Sequence, residues 1–297
     1  MNGAKNDLAV EEKELIKSID RIYELFILHI SVLTELNRFA AELINERKKK
    51  RLPTDEDLNP NMKFVEHKLL VSLLESKDLQ KKTEEFKISW GDNQELIKKI
   101  FNSIVDSKEY KSFMSSEDVD FETSKEFIIQ IYKRFIADNE MLEHVFEEKS
   151  IHWTDDNYFV CGYVTKFLKN YKSKWTSERK IPVLFKDIED DTNFIKILFR
   201  KTLINNEEFE KLIMTKAKNW EADRIAEVDF IFMKMAICEL IKLNSVPVKV
   251  TLNEYIELSK IYSTPKSKMF INGVLDKLIP VLKDSGEIAK TGRGLMN

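Results

Sequence analysis

Few residues in this chain can break a helix: 297 residues contain only seven glycines and six prolines. Sheet proteins and nucleotide-binding α/β folds spend such residues freely at turns and phosphate loops, so their scarcity predicts long helices joined by few loops. The apolar pattern agrees. Leu8, Leu15, Ile19, Ile22, Phe26, Leu33, Leu36, Ala40 and Leu43 recur at three, four or seven residues, the spacing of one helical face. This predicts a first helix over 8–48, roughly 60 Å long at 1.5 Å per residue. No period-two strand pattern persists, and the expected class is all-α.

The helix ends at Arg47-Lys48-Lys49-Lys50-Arg51, before Pro53. Cations there offset the helix dipole without any ligand, and no aromatic accompanies them to stack a base. Helical patterns resume over 64–74, 94–105, 122–147, 158–172 and 193–202, with a connecting loop over 175–183. Residues 221–243 are apolar on nearly every side and read as a buried central helix. Thr251-Leu252-Asn253-Glu254 has the form of a capping box. Thr264-Pro265 suits the N-cap and first position of the last helix. Gly273, inside that helix, is expected to mark a close helix-on-helix approach. Three regions follow: a long N-terminal helix over 1–52, a helical region over 53–189 and a C-terminal helical domain over 190–297.

Hydrophobic residues make up 43% of the chain and charged residues 33%, a globular profile rather than a disordered one. The start of the chain has no apolar leader core, and no apolar run is long enough to span a membrane. Two cysteines, Cys161 and Cys238, fall in apolar helical stretches and read as reduced, buried thiols. The expected location is cytoplasmic. The net charge of −3 is unevenly spread: residues 211–297 hold fourteen Lys and Arg against ten Asp and Glu, a basic end on an acidic body.

Enzyme signatures are not found. No P-loop, G-x-S-x-G or G-x-G-x-x-G string occurs. His144, Glu148 and His152 share a helical stripe, but the two histidines would stand about 12 Å apart, too far for one ion. No cofactor and no metal are expected.

The C-terminal segment resembles the NusB family. The resemblance rests on Trp220, Asp223, Arg224, Ile225 and Asp229, on Pro247-Val248-Lys249-Val250-Thr251-Leu252-Asn253-Glu254-Tyr255-Ile256-Glu257-Leu258-Ser259-Lys260, and on Phe270-Ile271-Asn272-Gly273-Val274-Leu275-Asp276-Lys277-Leu278. It implies a helical bundle with a NusB-like C-terminal subdomain and an enlarged helical region before it. It also implies a non-enzymatic antitermination factor. Such a factor binds a single-stranded boxA-like RNA with the ribosomal protein that acts as NusE, in an antitermination complex on RNA polymerase during ribosomal RNA synthesis. By position, Lys234, Lys249, Lys266, Ser267, Lys268 and Phe270 fall where the family meets RNA. Lysines attract phosphates and an aromatic can stack on an unpaired base, although Phe270 could equally be a core side chain. The family usually opens with an arginine-rich helix, whereas an acidic stretch over 7–14 stands here, so weaker RNA binding is expected. Two other readings remain open: a protein-only scaffold with the family fold, and the accessory RNA-binding domain of a ribosomal RNA methyltransferase.

Overall fold

The computed structural model describes residues 2–117, 119–150, 153–217 and 225–295. Fourteen α-helices lie among them, in this order: α1 (Asn2–Lys48), α2 (Asp55–Leu58), α3 (Lys68–Leu74), α4 (Lys77–Glu85), α5 (Gln94–Asp106), α6 (Lys108–Ser115), α7 (Phe121–Ile131), α8 (Glu140–Lys149), α9 (Trp153–Lys169), α10 (Ile188–Ile204), α11 (Asn206–Lys216), α12 (Glu227–Lys242), α13 (Val248–Tyr262) and α14 (Ser267–Asp284). The described residues contain no strand, and the fold is all-α. Among the described residues, no helix is long and apolar enough to cross a membrane. The chain forms two compact units: Lys17–Leu184, and Met1–Ile16 with Phe185–Asn297.

The Lys17–Leu184 unit is built round the middle of α1. The spacing predicts one apolar face, but the structure buries residues 25–37 on all sides. That is possible because the polar residues there are hydrogen-bonded, some within the helix and some to distant segments. Ser31 Oγ donates to the Leu28 carbonyl at 2.7 Å and Thr34 Oγ1 to that of Ser31 at 2.9 Å. Asn37 Nδ2 donates to the carbonyls of Phe64 and Val65 at 3.2 and 3.0 Å. In the basic run that ends α1, Lys50 lies 3.0 Å from the Asp57 carboxylate. Asp57 also forms a capping box with Thr54 at the start of α2.

Residues 122–147 are not one helix. A π-turn over Tyr132–Ala137 follows α7, and Asn139 then caps α8 by accepting from the Leu142 amide at 3.1 Å. His144 and Glu148, 3.6 Å apart, are both exposed on α8, and His152 lies outside the described residues. Cys161 is only partly buried, whereas Cys238 is fully buried.

In the unit containing Phe185–Asn297, α12 packs on α10, α11, α13 and α14. Its core joins Phe209 and Ile213 of α11, Met233, Ala236 and Ile237 of α12, Tyr255 of α13, and Ile271, Leu275 and Leu278 of α14. Arg200 of α10 pairs with Glu12 of α1, its Nη2 donating to Oε1 at 2.9 Å.

Candidate nucleic-acid interface

The turn from α13 to α14 is fixed from within by a chain of short polar contacts. Ser263 Oγ donates to the buried Asp229 carboxylate of α12 at 2.5 Å. Ser267 Oγ lies 2.9 Å from Ser263 Oγ and 2.8 Å from Thr264 Oγ1. The Ser267 amide donates to the Thr264 carbonyl at 3.0 Å, and α14 therefore begins at Ser267, two residues after Pro265 rather than at it. These contacts hold the turn in one shape, so the side chains it displays are pre-positioned. Displayed outward are Lys266 and Lys268, together with Met269, 75% exposed, and Tyr262, 41% exposed. The Tyr262 ring packs edge-on to Phe232 of α12, centroids 6.5 Å apart.

Among the six residues that sequence placed at the interface, four gather at this turn: Lys266, Ser267, Lys268 and Phe270. Ser267 is buried in the polar chain just described. Phe270, 7% exposed, belongs to the core cluster. The other two lie elsewhere. Lys249 is exposed in the first turn of α13, about 20 Å along that helix from the turn. Lys234, on α12, donates to Glu210 Oε2 at 2.7 Å and Asn206 Oδ1 at 2.8 Å, both on α11, and stands 5.6 Å from the Phe230 ring centroid. Sequence reasoning passed over Tyr262. Local spacing does not reveal it: Tyr262 follows the buried Tyr255 by seven residues, the spacing of the covered face of that helix, and only its place directly before the S-T-P-K-S-K turn sets it apart.

The opposite end of α13 also differs from expectation. The helix starts at Val248, so Thr251 is inside it and forms no capping box. Its fully buried hydroxyl donates to Glu239 Oε1 of α12 at 2.7 Å, and the Tyr255 hydroxyl donates to Oε2 at 3.2 Å. Burial raises the Glu239 carboxyl above its ordinary range, and the two donated hydrogen bonds pull it back only in part. Burial also raises the Tyr255 phenol and lowers the Lys290 ammonium. Lys290 Nζ donates to the carbonyls of Glu239 and Leu243 at 3.2 and 3.0 Å, closing the end of α12. Gly273 makes no close approach: a Cβ built on it meets nothing within 4 Å. Gly294 does, since its Cβ would fall 2.0 Å from the Asn244 carbonyl oxygen.

Comparison with known proteins agrees with this architecture. The family model described as the NusB family matches residues 166–280. The transcription antitermination protein NusB of Salinibacter ruber is 47% identical over 104 residues, which are 35% of this chain and 65% of that protein. The protein of the same name from Chloroherpeton thalassium is 40% identical over 105 residues, 35% of this chain and 50% of that one. That of Listeria welshimeri is 36% identical over 103 residues, 35% of this chain and 79% of that one. The matched region thus spans half to two thirds of the first two relatives. No solved structure matches the chain. Trp220, Asp223 and Arg224 of the family resemblance lie outside the described residues. The rest of the resemblance falls on α12, α13 and α14 and on Ile225 and Pro247 just before the first two, and with four fifths of the Listeria protein aligned at this identity, the chain belongs to the NusB family.

Proposed function

We propose that this chain is a transcription antitermination factor. In this reading it binds a single-stranded boxA-like RNA together with the ribosomal protein that acts as NusE, in a complex on RNA polymerase during ribosomal RNA synthesis. The supporting observation is the α13–α14 turn. Two exposed lysines, Lys266 and Lys268, follow a half-exposed aromatic, Tyr262, on a backbone held by the Asp229–Ser263–Ser267 chain. Lysines supply sequence-independent attraction to phosphate, and the tyrosine face can stack an unpaired base. Phe270 and Ser267 serve from inside, by setting the turn, and Lys249 adds a phosphate contact farther along α13. Lys234 contributes only if RNA displaces it from Glu210.

The test is binding of a labelled boxA-like RNA by the full chain, with and without the NusE partner, across a range of salt. Lys266→Glu with Lys268→Glu should weaken binding by roughly tenfold or more and flatten its salt dependence. Complex formation that ignores both salt and RNA sequence would overturn the reading.

A second reading, a protein-interaction scaffold without RNA binding, is favoured by the exposed apolar side chains of the same turn, Ile261, Tyr262 and Met269. It predicts partner binding that survives both lysine substitutions.

A further inference from the structure

The Lys17–Leu184 unit carries its own concentration of positive charge, at the end of α9 and in the irregular segment after it. Residues 166–180 contain six cations, Lys166, Lys169, Lys172, Lys174, Arg179 and Lys180, against a single acid, Glu178. All six cations are exposed. Lys166 and Lys169 could be explained as last-turn cations that offset the dipole of α9. The other four lie beyond the helix, where the dipole argument does not reach.

This segment is not a loose tail. Lys125 Nζ donates to the carbonyls of Lys169 and Tyr171 at 3.0 and 3.2 Å. The Tyr171 hydroxyl lies 2.5 Å from Ser72 Oγ. At the far end, the Ile181 amide donates to Asp78 Oδ2 at 2.8 Å and the Tyr23 hydroxyl to the Pro182 carbonyl at 2.8 Å. Between these anchors runs a ladder of rings: Phe167 to Tyr171 at 6.0 Å and Tyr171 to Trp175 at 5.0 Å, with the Arg179 guanidinium 4.3 Å from the Trp175 centroid. The cations are therefore displayed on a pinned strap, which lowers the ordering cost of binding.

Upstream on the same helix, three aromatics face outward: Tyr158 at 74%, Phe159 at 50% and Tyr163 at 40% exposure. Phe159, Tyr163 and Lys166 follow one another at i, i+4 and i+7, a single stripe. Gly162 lies between them, one turn from Tyr158 and from Lys166, and nothing lies within 4 Å of where its Cβ would be. A glycine inside an exposed helix costs about 1 kcal/mol relative to alanine; here it leaves the helix surface between the rings and Lys166 open.

From this we infer that the end of α9 and the 170–180 strap form a second binding surface for single-stranded RNA, built from residues of the Lys17–Leu184 unit. Exposed rings offer stacking planes to successive unpaired bases, and the cations downstream track the phosphates. Tyr163 also packs edge-on to the buried Phe26, centroids 5.2 Å apart, but an acidic polypeptide would satisfy the cations and leave the more exposed rings of Tyr158 and Phe159 without a use. RNA as the occupant rests on the function proposed above, extended here to the other unit.

The experiment measures fluorescence anisotropy of a labelled oligouridine with the full chain at rising salt. Lys166→Gln, Lys169→Gln, Lys172→Gln and Lys174→Gln together should weaken binding roughly 10–100-fold and reduce the slope of log affinity against log salt by roughly two to three. Tyr158→Ala with Phe159→Ala, both on the surface, should cost about tenfold with the slope unchanged, and ultraviolet crosslinks should map to residues 158–180. Unchanged affinity and slope in the four-lysine variant overturn the inference. Unchanged affinity in the aromatic variant does so too, as does displacement of RNA by polyglutamate on equal terms, which would mark an acidic-protein site. Loss of binding in the Lys266→Glu, Lys268→Glu variant but not the strap variant leaves the function above standing and removes this one; the converse result removes the turn and keeps the strap.

Discussion

Each unit buries a polar hub, and the two hubs differ in chemistry and in how far along the chain they reach. In the Lys17–Leu184 unit the hub is His29. Its Nε2 lies 2.9 Å from Asn157 Oδ1 and its Nδ1 3.1 Å from the Tyr132 hydroxyl, and its ring packs 4.8 Å from that of Phe146. In the other unit the hub is Glu239, held by Thr251 and Tyr255. His29 and Asn157 are 128 residues apart, whereas Glu239 and Thr251 are 12 apart. Local contacts leave a continuous string in the sequence, and distant ones do not. Contacts of short separation also close at a smaller entropic cost. The α12–α13 hub is therefore closed by residues of two consecutive helices, and the His29 hub exists only once α1, the π-turn and α9 have met.

The comparison is tested most severely at the two cores. Phe146, almost fully buried beside His29, and Phe209, almost fully buried in the other core, should each cost about 3–5 kcal/mol on replacement by alanine. In denaturant unfolding, Phe146→Ala should move the transition reported by emission from Trp90, Trp153 and Trp175, which all lie in the Lys17–Leu184 unit. Loss of that signal at unchanged denaturant concentration would show that the His29 neighbourhood is not a packed core.

Acid should separate the hubs next. Burial pushes the His29 imidazole from its ordinary value of 6.5 down to about 4. Between those values the unfolded chain binds the proton and the folded chain does not. Stability from this group is therefore complete above about pH 6.5 and lost as pH falls toward 4, by up to about 3 kcal/mol. Glu239 has the opposite sign. Its carboxyl is raised by burial, so its contribution is full below the ordinary carboxylate range and declines as pH rises through the folded value. Thermal unfolding followed by tryptophan emission should show a falling midpoint from pH 7 to pH 5, and His29→Asn should flatten that dependence. An unaltered slope in the variant would assign the acid sensitivity elsewhere.

Thr251 sharpens the second hub. Thr251→Val keeps the shape and removes the hydroxyl that donates to Glu239 at 2.7 Å, leaving a buried carboxylate oxygen short of a donor. The expected loss is about 1–3 kcal/mol. If the value came near zero, the Tyr255 hydroxyl and a rearranged backbone would be sufficient for Glu239.

How much of this was readable beforehand follows from the same distinction between local and distant contacts. The P-V-K-V-T-L-N-E-Y string located α13 and its family because its information is local. The same string misled on detail, since T-L-N-E reads as a capping box and nothing in it reveals that Glu239, a helix away, takes the threonine hydroxyl. Residues 122–147 read as one helix because the apolar spacing continues through the π-turn; the Asp138-Asn139 pair was the available sign of a break. The exposed turn around Lys266 and Lys268 was legible from its S-T-P-K-S-K composition. The aromatic beside it was not, because choosing between Tyr262 and Phe270 requires knowing which one the folded core encloses. The 166–180 strap escaped notice for a related reason. Its cations are spread over a helix end and a loop, and only the Tyr171, Trp175 and Arg179 ladder shows that they form one surface.

The smallest expected effect concerns Gly273, and it bears on whether the family string is shaped by packing or by something else. Sequence reasoning expected a close helix approach there, which would make alanine harmful. With nothing within 4 Å of its Cβ position and the residue inside α14, Gly273→Ala should instead stabilise the unit by about 0.5–1 kcal/mol, through the lower backbone entropy of the unfolded chain. Gly294→Ala is the control with the opposite sign, because its Cβ would collide with the Asn244 carbonyl. Stabilisation by the first and destabilisation by the second, both in urea unfolding, would free Gly273 from any packing duty. RNA or protein binding by Gly273→Ala would then test whether the residue serves the proposed function instead. A loss of stability in Gly273→Ala would instead return the residue to the interior.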